Sequence, residues 1–343
     1  MISAIFCIYA AAFGAAPSGQ LAVVSGTTQE DRRLEVIDLA TGAITPLGPG
    51  HYDGAPVWSP DGHWLAFPTR GPHGMAIGLV SADGTERREI AHQYAWNDMP
   101  RWSPDGRLLA YTGTDGPKSI RPEDFATGSF VMVYDFAGDT ETQWGGDGPS
   151  LYRPVWMDAG TVIAIGLFPG ERRLTTHLYF VTPGASNPFP PEAMPSDGEY
   201  VEWSAEPNIE ESLLAYESND GGVREVFVLS YIRGSSDVSN HWAADWNPVW
   251  QPDGRWLAFE SFRSGRRGIY RVFHGTIRVM PVAVGEHYDN WHPAWAPDGG
   301  SLAYVSNRTG TPQIFVTEID SGKTVQITSG SRFALAPAWR PGP

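Results

Sequence analysis

One short pattern returns down this chain and leaves few folds open to it. A Pro stands two residues before a Trp, a Pro-Asp-Gly turn follows, and an apolar run ending in Phe or Tyr comes next. The clearest copies are Pro56-Val57-Trp58-Ser59-Pro60-Asp61-Gly62, Pro100-Arg101-Trp102-Ser103-Pro104-Asp105-Gly106, Pro248-Val249-Trp250-Gln251-Pro252-Asp253-Gly254 and Pro293-Ala294-Trp295-Ala296-Pro297-Asp298-Gly299. Weaker copies surround Trp156, Trp203 and Trp339, so successive Trp spacings are 44, 54, 47, 47, 45 and 44 residues. A period of this length marks an array of repeats, each a supersecondary unit that must stack on a neighbour to cover its apolar face.

The best-kept unit reads as four short strands. His292 to Ala296 is the first, and Pro297-Asp298-Gly299 turns the chain because Pro presets a negative φ, Asp caps the turn and Gly takes a positive φ. Ser301 to Ser306 is the second, Gln313 to Ile319 alternates apolar and polar residues as a half-buried third, and Thr324 to Thr328 is the fourth. No stretch shows the long 3.6-residue apolar period of a helix. Radially repeated four-stranded antiparallel units make a β-propeller. The segments Gln20–Ser25, Arg33–Leu39 and Ala43–Leu47 look like a unit without its first strand, which the C-terminal Pro337-Ala338-Trp339-Arg340-Pro341 would supply. The expectation is an all-β, seven-bladed β-propeller of four-stranded antiparallel blades, closed by pairing of the N- and C-terminal strands. A six-bladed ring is the alternative if the unit around Trp203 is irregular.

The repeated Trp residues are expected between neighbouring blades. Each would bury about 150–250 Å², worth roughly 4–6 kcal/mol before chain-entropy and denatured-state corrections. Thirty-nine Gly and twenty-nine Pro suit a fold built of turns. A net charge of −15 argues against nucleic acid or an anionic membrane as partner and fits either solubility or attraction of a basic partner. The pairs Arg32-Arg33, Arg87-Arg88, Arg172-Arg173 and Arg266-Arg267 are dispersed and read as solvated loop charges. No charge occurs from Met1 to Gln29, and Ile2 to Ala16 is an apolar run of signal-peptide length. Residues 1–16 are therefore expected to be a signal peptide and 17–343 a single propeller domain, periplasmic or secreted. The single cysteine, Cys7, falls inside that leader, leaving a mature chain without thiols.

The Pro-x-Trp-Ser-Pro-Asp-Gly-x-x-Leu-Ala-Phe/Tyr repeat, with Ser306-Asn307-Arg308-Thr309-Gly310 and Gln313-Ile314-Phe315-Val316, resembles the TolB-like, or WD-like, propeller repeats. The resemblance spans roughly residues 20–341. It implies the propeller fold and a general role as a binding platform; the partner known for TolB is not carried over. Similar propellers accompany the hydrolase domain of prolyl-oligopeptidase relatives, but no Gly-x-Ser-x-Gly elbow occurs here and that activity is not expected.

Candidate function sits in the segments before each Trp, which should gather at one mouth of the ring. Five residues before each Trp stand Asp53, Asn97, Leu151, Gly198, Asp245, Asn290 and Ala334, with Asp98 and Asp289 beside them. His51, His287, His292, Trp246 and Trp291 flank these positions. One reading makes them a mouth site for a protein, an envelope ligand or a sugar, with aromatic anchors and carboxylates that attract cations. Ca²⁺ in the channel is possible on this reading, since it takes about six to eight oxygen ligands. The plainer reading is that each Asp or Asn bonds its own loop backbone. A propeller enzyme is the alternative, a metal-assisted lyase or hydrolase acting on a carbohydrate with His287, Asp289 and His292 near a metal. The expected function is an exported, monomeric, non-catalytic binding module without a cofactor.

Overall fold

The computed structural model describes residues 18–90, 93–115, 128–145, 150–167, 176–184, 202–208, 213–219, 222–230 and 234–342. The expected leader and Gly198 lie outside them. Every regular element among them is a β-strand. The first sheet holds β1 (Gln20–Gly26), β2 (Arg33–Asp38) and β3 (Ile44–Pro46). Next come β4 (Val57–Trp58), β5 (Trp64–Gly71), β6 (Gly74–Ser81), β7 (Arg87–Ile90), β8 (Trp96–Trp102), β9 (Leu108–Thr114), β10 (Ser129–Asp135) and β11 (Thr140–Trp144). Then follow β12 (Ser150–Trp156), β13 (Val162–Leu167) and β14 (His177–Val181), and β15 (Glu202–Asn208), β16 (Leu213–Ser218), β17 (Glu225–Ser230) and β18 (Gly234–Asp237). The last two groups are β19 (Asp245–Trp250), β20 (Trp256–Ser261), β21 (Gly268–Phe273) and β22 (Val279–Ala283), and β23 (Asn290–Trp295), β24 (Ser301–Ser306), β25 (Gln313–Glu318) and β26 (Thr324–Gln326).

The terminal strand β27 (Phe333–Trp339) pairs antiparallel with β1, placing Leu21 opposite Trp339 and Ala22 opposite Ala338. Both ends of the propeller thus share one sheet, so that β1 is paired on both sides instead of presenting a free edge.

The expected seven blades need correction. Among the described residues the ladders give five separate blades, mostly of four strands, and one continuous eight-stranded sheet made by β4–β11. The cause is local. The β5–β6 hairpin is eight residues on each side, longer than its counterparts, and its tip reaches the next inner strand. There Met75 pairs in parallel with Trp96, Met75 N–H donates to Ala95 O at 3.0 Å, and Asn97 Nδ2 donates to Met75 O at 2.9 Å. Gly74, at φ 141°, is required at that crossing: a Cβ would stand 1.9 Å from the Ala95 carbonyl oxygen. Two sequence repeats are fused as a result.

The Pro-Asp-Gly turns form as expected. Asp61, Asp105, Asp253 and Asp298 each accept the N–H two residues on at 2.9–3.1 Å, and the following Gly residues have φ of 68–72°. The Trp residues form a belt between inner strands. Trp58 Nε1 donates to Ala338 O, Trp102 to Val57 O, Trp156 to Arg101 O, Trp250 to Glu206 O, Trp295 to Val249 O and Trp339 to Ala294 O, all at 2.8–3.2 Å. The core is accordingly a ring of inter-blade layers. In one, Leu34, Val36 and Leu47 pack on Trp58, Leu65 and Phe67; in another, Leu21, Val23 and Ile37 meet Ile314, Val316 and Trp339.

A second correction concerns Trp203. Pro207 lies opposite Leu214 just as Trp250 lies opposite Leu257 and Trp295 opposite Leu302. Pro207 therefore fills the repeat slot, and Trp203 sits four residues early in β15. Asn208 and Gln251 confirm the register, each donating its side-chain amide to a turn glycine of the following blade, Gly254 O at 3.2 Å and Gly299 O at 2.7 Å. Having no N–H, Pro207 cannot extend the belt.

Candidate binding site in the ring channel

The inner strands enclose an axial cavity of about 370 Å³. Its wall is built by the residues just before each repeat Trp. Pro56, Pro100, Pro154, Pro248, Pro293 and Pro337 line it at equivalent positions. The residue ahead of five of these prolines is a bulge in the left-handed region: Met99 (φ 58°), Arg153 (53°), Asn247 (54°), His292 (52°) and Ala336 (49°). Such a conformation costs roughly 1–2 kcal/mol per non-glycine residue, and the ladder registers slip at these points in β8, β12, β19 and β23. These bulge residues line the lumen.

Buried acceptors meet the amides the bulges displace. Asn247 N–H donates to Glu217 Oε1 at 2.7 Å, His292 N–H to Glu260 Oε1 at 2.9 Å, and Arg153 N–H to Thr112 Oγ1 at 3.0 Å. Glu217 and Glu260 are fully buried and ion-paired with Arg224 and Arg267. Asn247 Nδ2 adds a bond to Glu260 Oε1 at 2.8 Å. A buried acid is tolerated because its oxygens have donors.

Among the described residues, Asp98, Arg101, Arg153, Glu206 and His292 are the ionisable groups of the channel wall. Burial raises the Glu206 carboxyl above the ordinary glutamate range, opposed only by Arg101. Burial also raises Asp98, against the Met99 N–H and the positive charges of Arg153, Arg101 and Arg32. His292 is exposed to the lumen, yet the surrounding wall lowers its pKa; Glu260 opposes that shift and Arg267 adds to it. Among the described residues no side chain donates to the Glu206 carboxyl, and Arg101 has no carboxylate within 4.0 Å, its one hydrogen bond going to Pro100 O at 3.3 Å. The lumen thus offers carboxyls and a guanidinium on a proline-lined wall.

The residues expected at the mouth divide into four groups. Asp53, Asn97, Asp245 and Asn290 are buried in the blades. Asp53 takes Arg87 at 2.8 Å and Thr69 Oγ1 at 2.8 Å, Asp245 takes Arg263 at 2.6 Å, and Asn290 takes Arg308 at 3.0 Å. Asn97 bonds Tyr94 O at 2.8 Å as well as Met75 O. Asp98 and His292 reach the channel. His51 and His287 are exposed on their connections, while Asp289 accepts Arg267 N–H at 3.2 Å and lies 3.8 Å from Arg266. Trp246 and Trp291 are half-buried, joined by the Arg267 guanidinium 5.4 Å and 5.7 Å from their ring centres. Among the described residues no three metal-ligating side chains come together. Arg101, Arg153, Glu206 and Asn247 escaped the sequence reading, although their shared signal, one or three residues before a repeat Trp slot, was present in it.

No protein-family model and no curated protein sequence matches the chain. Solved structures do. TolB from Acinetobacter baumannii superposes with a TM-score of 0.60 at 16% identity, over 98% of this chain and 70% of that one. An oligogalacturonate lyase in complex with manganese gives 0.67 at 16% identity, over 88% and 87%. The β-propeller domain of the trilobed protease from Pyrococcus furiosus gives 0.63 at 15%, over 91% and 96%. The chain spans about half, 48%, of a prolyl endopeptidase that it also resembles. At such identities the likeness establishes architecture, and the architecture is a TolB-like β-propeller.

Proposed function

We propose that this chain is a non-catalytic propeller binding module, exported from the cytoplasm, that takes a protein segment or envelope ligand into its ring channel and the mouth above it. The observation that carries the reading is the unpaired Glu206 carboxyl in the channel wall, with Asp98 and Arg101 nearby. A half-buried lumen carboxyl that no described side chain meets gains from a ligand that brings an ammonium or guanidinium group, since that partner supplies a charge-assisted bond. The net charge of −15 draws such a ligand in, and the exposed Arg101 can hold an anionic or carbonyl group on the same molecule. No helix among the described residues is long and apolar enough to cross a membrane.

The neighbours include enzymes, an oligogalacturonate lyase and a prolyl endopeptidase among them. The test is titration calorimetry with short peptides carrying one Arg or Lys, using wild type and Glu206→Gln. Tighter binding of basic than of neutral peptides, reduced about tenfold or more in the variant at unchanged melting temperature, supports the reading. Equal affinity of the two proteins for every peptide overturns it.

A further inference from the structure

The connection from β18 to β19 carries Trp242, whose side chain is 77% exposed and lies against the His241 ring at 5.1 Å. This loop is held from beneath by Glu225, the first residue of β17 and 5% exposed. Glu225 Oε2 accepts Ser239 Oγ–H and, at 3.4 Å, the His241 N–H; Ser239 Oγ in turn accepts the Val226 N–H at 2.9 Å. Beside it is Asp245, fully buried, with Oδ2 bound by Arg263. Each carboxyl keeps one buried oxygen, Glu225 Oε1 and Asp245 Oδ1, that meets no donor. Asp245 N–H donates to Arg224 O at 2.7 Å, which sets Asp245 beside Glu225, and the Asp245 carboxyl raises the Glu225 pKa. Two facing carboxylates repel, whereas one shared proton satisfies both orphan oxygens.

We infer that Glu225 and Asp245 share a single proton, and that this proton latches the Trp242 loop and makes its presentation at the ring mouth pH-sensitive. The inference goes beyond the proposed function and does not depend on what the channel binds.

An equivalent blade shows the permanently neutral version. Gln313 opens β25 opposite Ser306 as Glu225 opens β17 opposite Ser218. Its Nε2 donates to Arg332 O at 2.8 Å and Gly330 O at 3.3 Å in the corresponding connection, and Ala334 stands where Asp245 does. An amide holds that loop at every pH; here the Ser239 and His241 bonds to Glu225 survive ionisation, and the contact with Asp245, where the loop enters β19, is the one that needs the proton.

The other charged groups agree. Asp237 on β18 accepts the Ser239 and Asn240 amides at 3.1 Å and 2.8 Å, and its charge adds to the pressure toward protonation. Arg263, after β20, neutralises only Asp245, and Arg224, beside Glu225, is engaged by Glu217. His241 accepts the Ala243 N–H through Nδ1 at 3.1 Å. Burial pushes the Glu225 carboxyl up to about 8, Ser239 opposing and Asp245 and Asp237 adding. A raised folded-state pKa means the latch is fully present below the unfolded value of 4.5 and is lost as pH rises toward 8. In that window the loop-opening constant grows about tenfold per pH unit.

Hydrogen–deuterium exchange of the 237–245 segment in the whole protein, corrected for intrinsic rates, tests this at pH 6 and pH 8.5. Wild type should lose protection by at least about tenfold at the higher pH. Glu225→Gln, whose amide copies the protonated form, should keep it, with melting temperatures confirming that both proteins stay folded. Equal protection of wild type at both pH values overturns the inference, as does loss in Glu225→Gln equal to that of wild type. Recovery of wild-type protection at pH 8.5 on adding Ca²⁺ also overturns it, by showing that a cation and not a proton bridges the pair.

Discussion

In the blade of β23–β26 the slot opposite Leu302 holds Trp295, bonded to Val249 O, and in the blade of β15–β18 the slot opposite Leu214 holds Pro207. The first blade places Val305 after its central Tyr304, within an apolar layer; the second places Glu217 after Tyr216, paired with Arg224. Gln313 opens one third strand and Glu225 the other, and the following inner strands bring Ala334 and Asp245. The registers of the central ladders, β16 with β17 and β24 with β25, match residue for residue. The same ladder can therefore be stabilised by apolar burial or by buried charge, and only the second choice makes stability conditional on protons and on intact pairs.

The largest break in that comparison should come from Trp295→Ala. It removes a buried indole and its hydrogen bond and should cost about 3–5 kcal/mol in urea denaturation, whereas Pro207→Ala should cost less than about 1 kcal/mol because it forfeits no belt contact. Equal losses would show that the belt is not what binds the inner strands. Glu217→Ala should cost about 3 kcal/mol, since Arg224 and the Asn247 N–H both lose their acceptor; chemical denaturation at pH 7 checks it.

Gln313→Glu transplants the charged solution into the neutral blade. It should be nearly silent at pH 5 and cost about 1–3 kcal/mol at pH 8, where an ionised carboxylate would face the Gly330 and Arg332 carbonyls. Melting curves across this range should also show wild type losing stability between pH 4.5 and 8 through Glu225, a slope that Glu225→Gln removes. The smallest effect belongs to Asp289→Asn. Its ion pair with Arg266 is partly exposed and 3.8 Å long, so the change should stay within about 0.5 kcal/mol at moderate salt.

Much of the fold was legible because the repeat encodes its own geometry. Pro-Asp-Gly specifies a turn through φ and a local carboxylate bond, and the strand that follows alternates as a half-buried strand must. The partnership of β1 with β27 was readable because each end lacks what the other has. The fusion of β4–β11 was not, since it depends on how far the hairpin tip at Gly71–Gly74 projects toward Ala95, a distance that no local pattern records. Trp203 misled for a related reason: a Trp at nearly the right spacing outweighed Pro207, although only cross-strand register defines the slot.

At the candidate site, position ahead of the repeat Trp found Asp98 and His292, but the same reasoning took in Asp53, Asp245 and Asn290. Their partners, Arg87, Arg263 and Arg308, lie 18–34 positions away in sequence and close upon them only across the sheet. Arg101 and Glu206 reach the lumen through inner-strand positions whose direction depends on the register slip just ahead of them.

By itself, the sequence determined that this protein is an all-β array of Trp-centred repeats joined end to end, because turn chemistry and strand alternation act over a few residues. The tertiary structure decided which repeats merge, which carboxyls find a guanidinium and which remain in the channel wall without one. Burial and pairing are properties of what surrounds a side chain, and in a closed ring those surroundings come from strands distant along the chain.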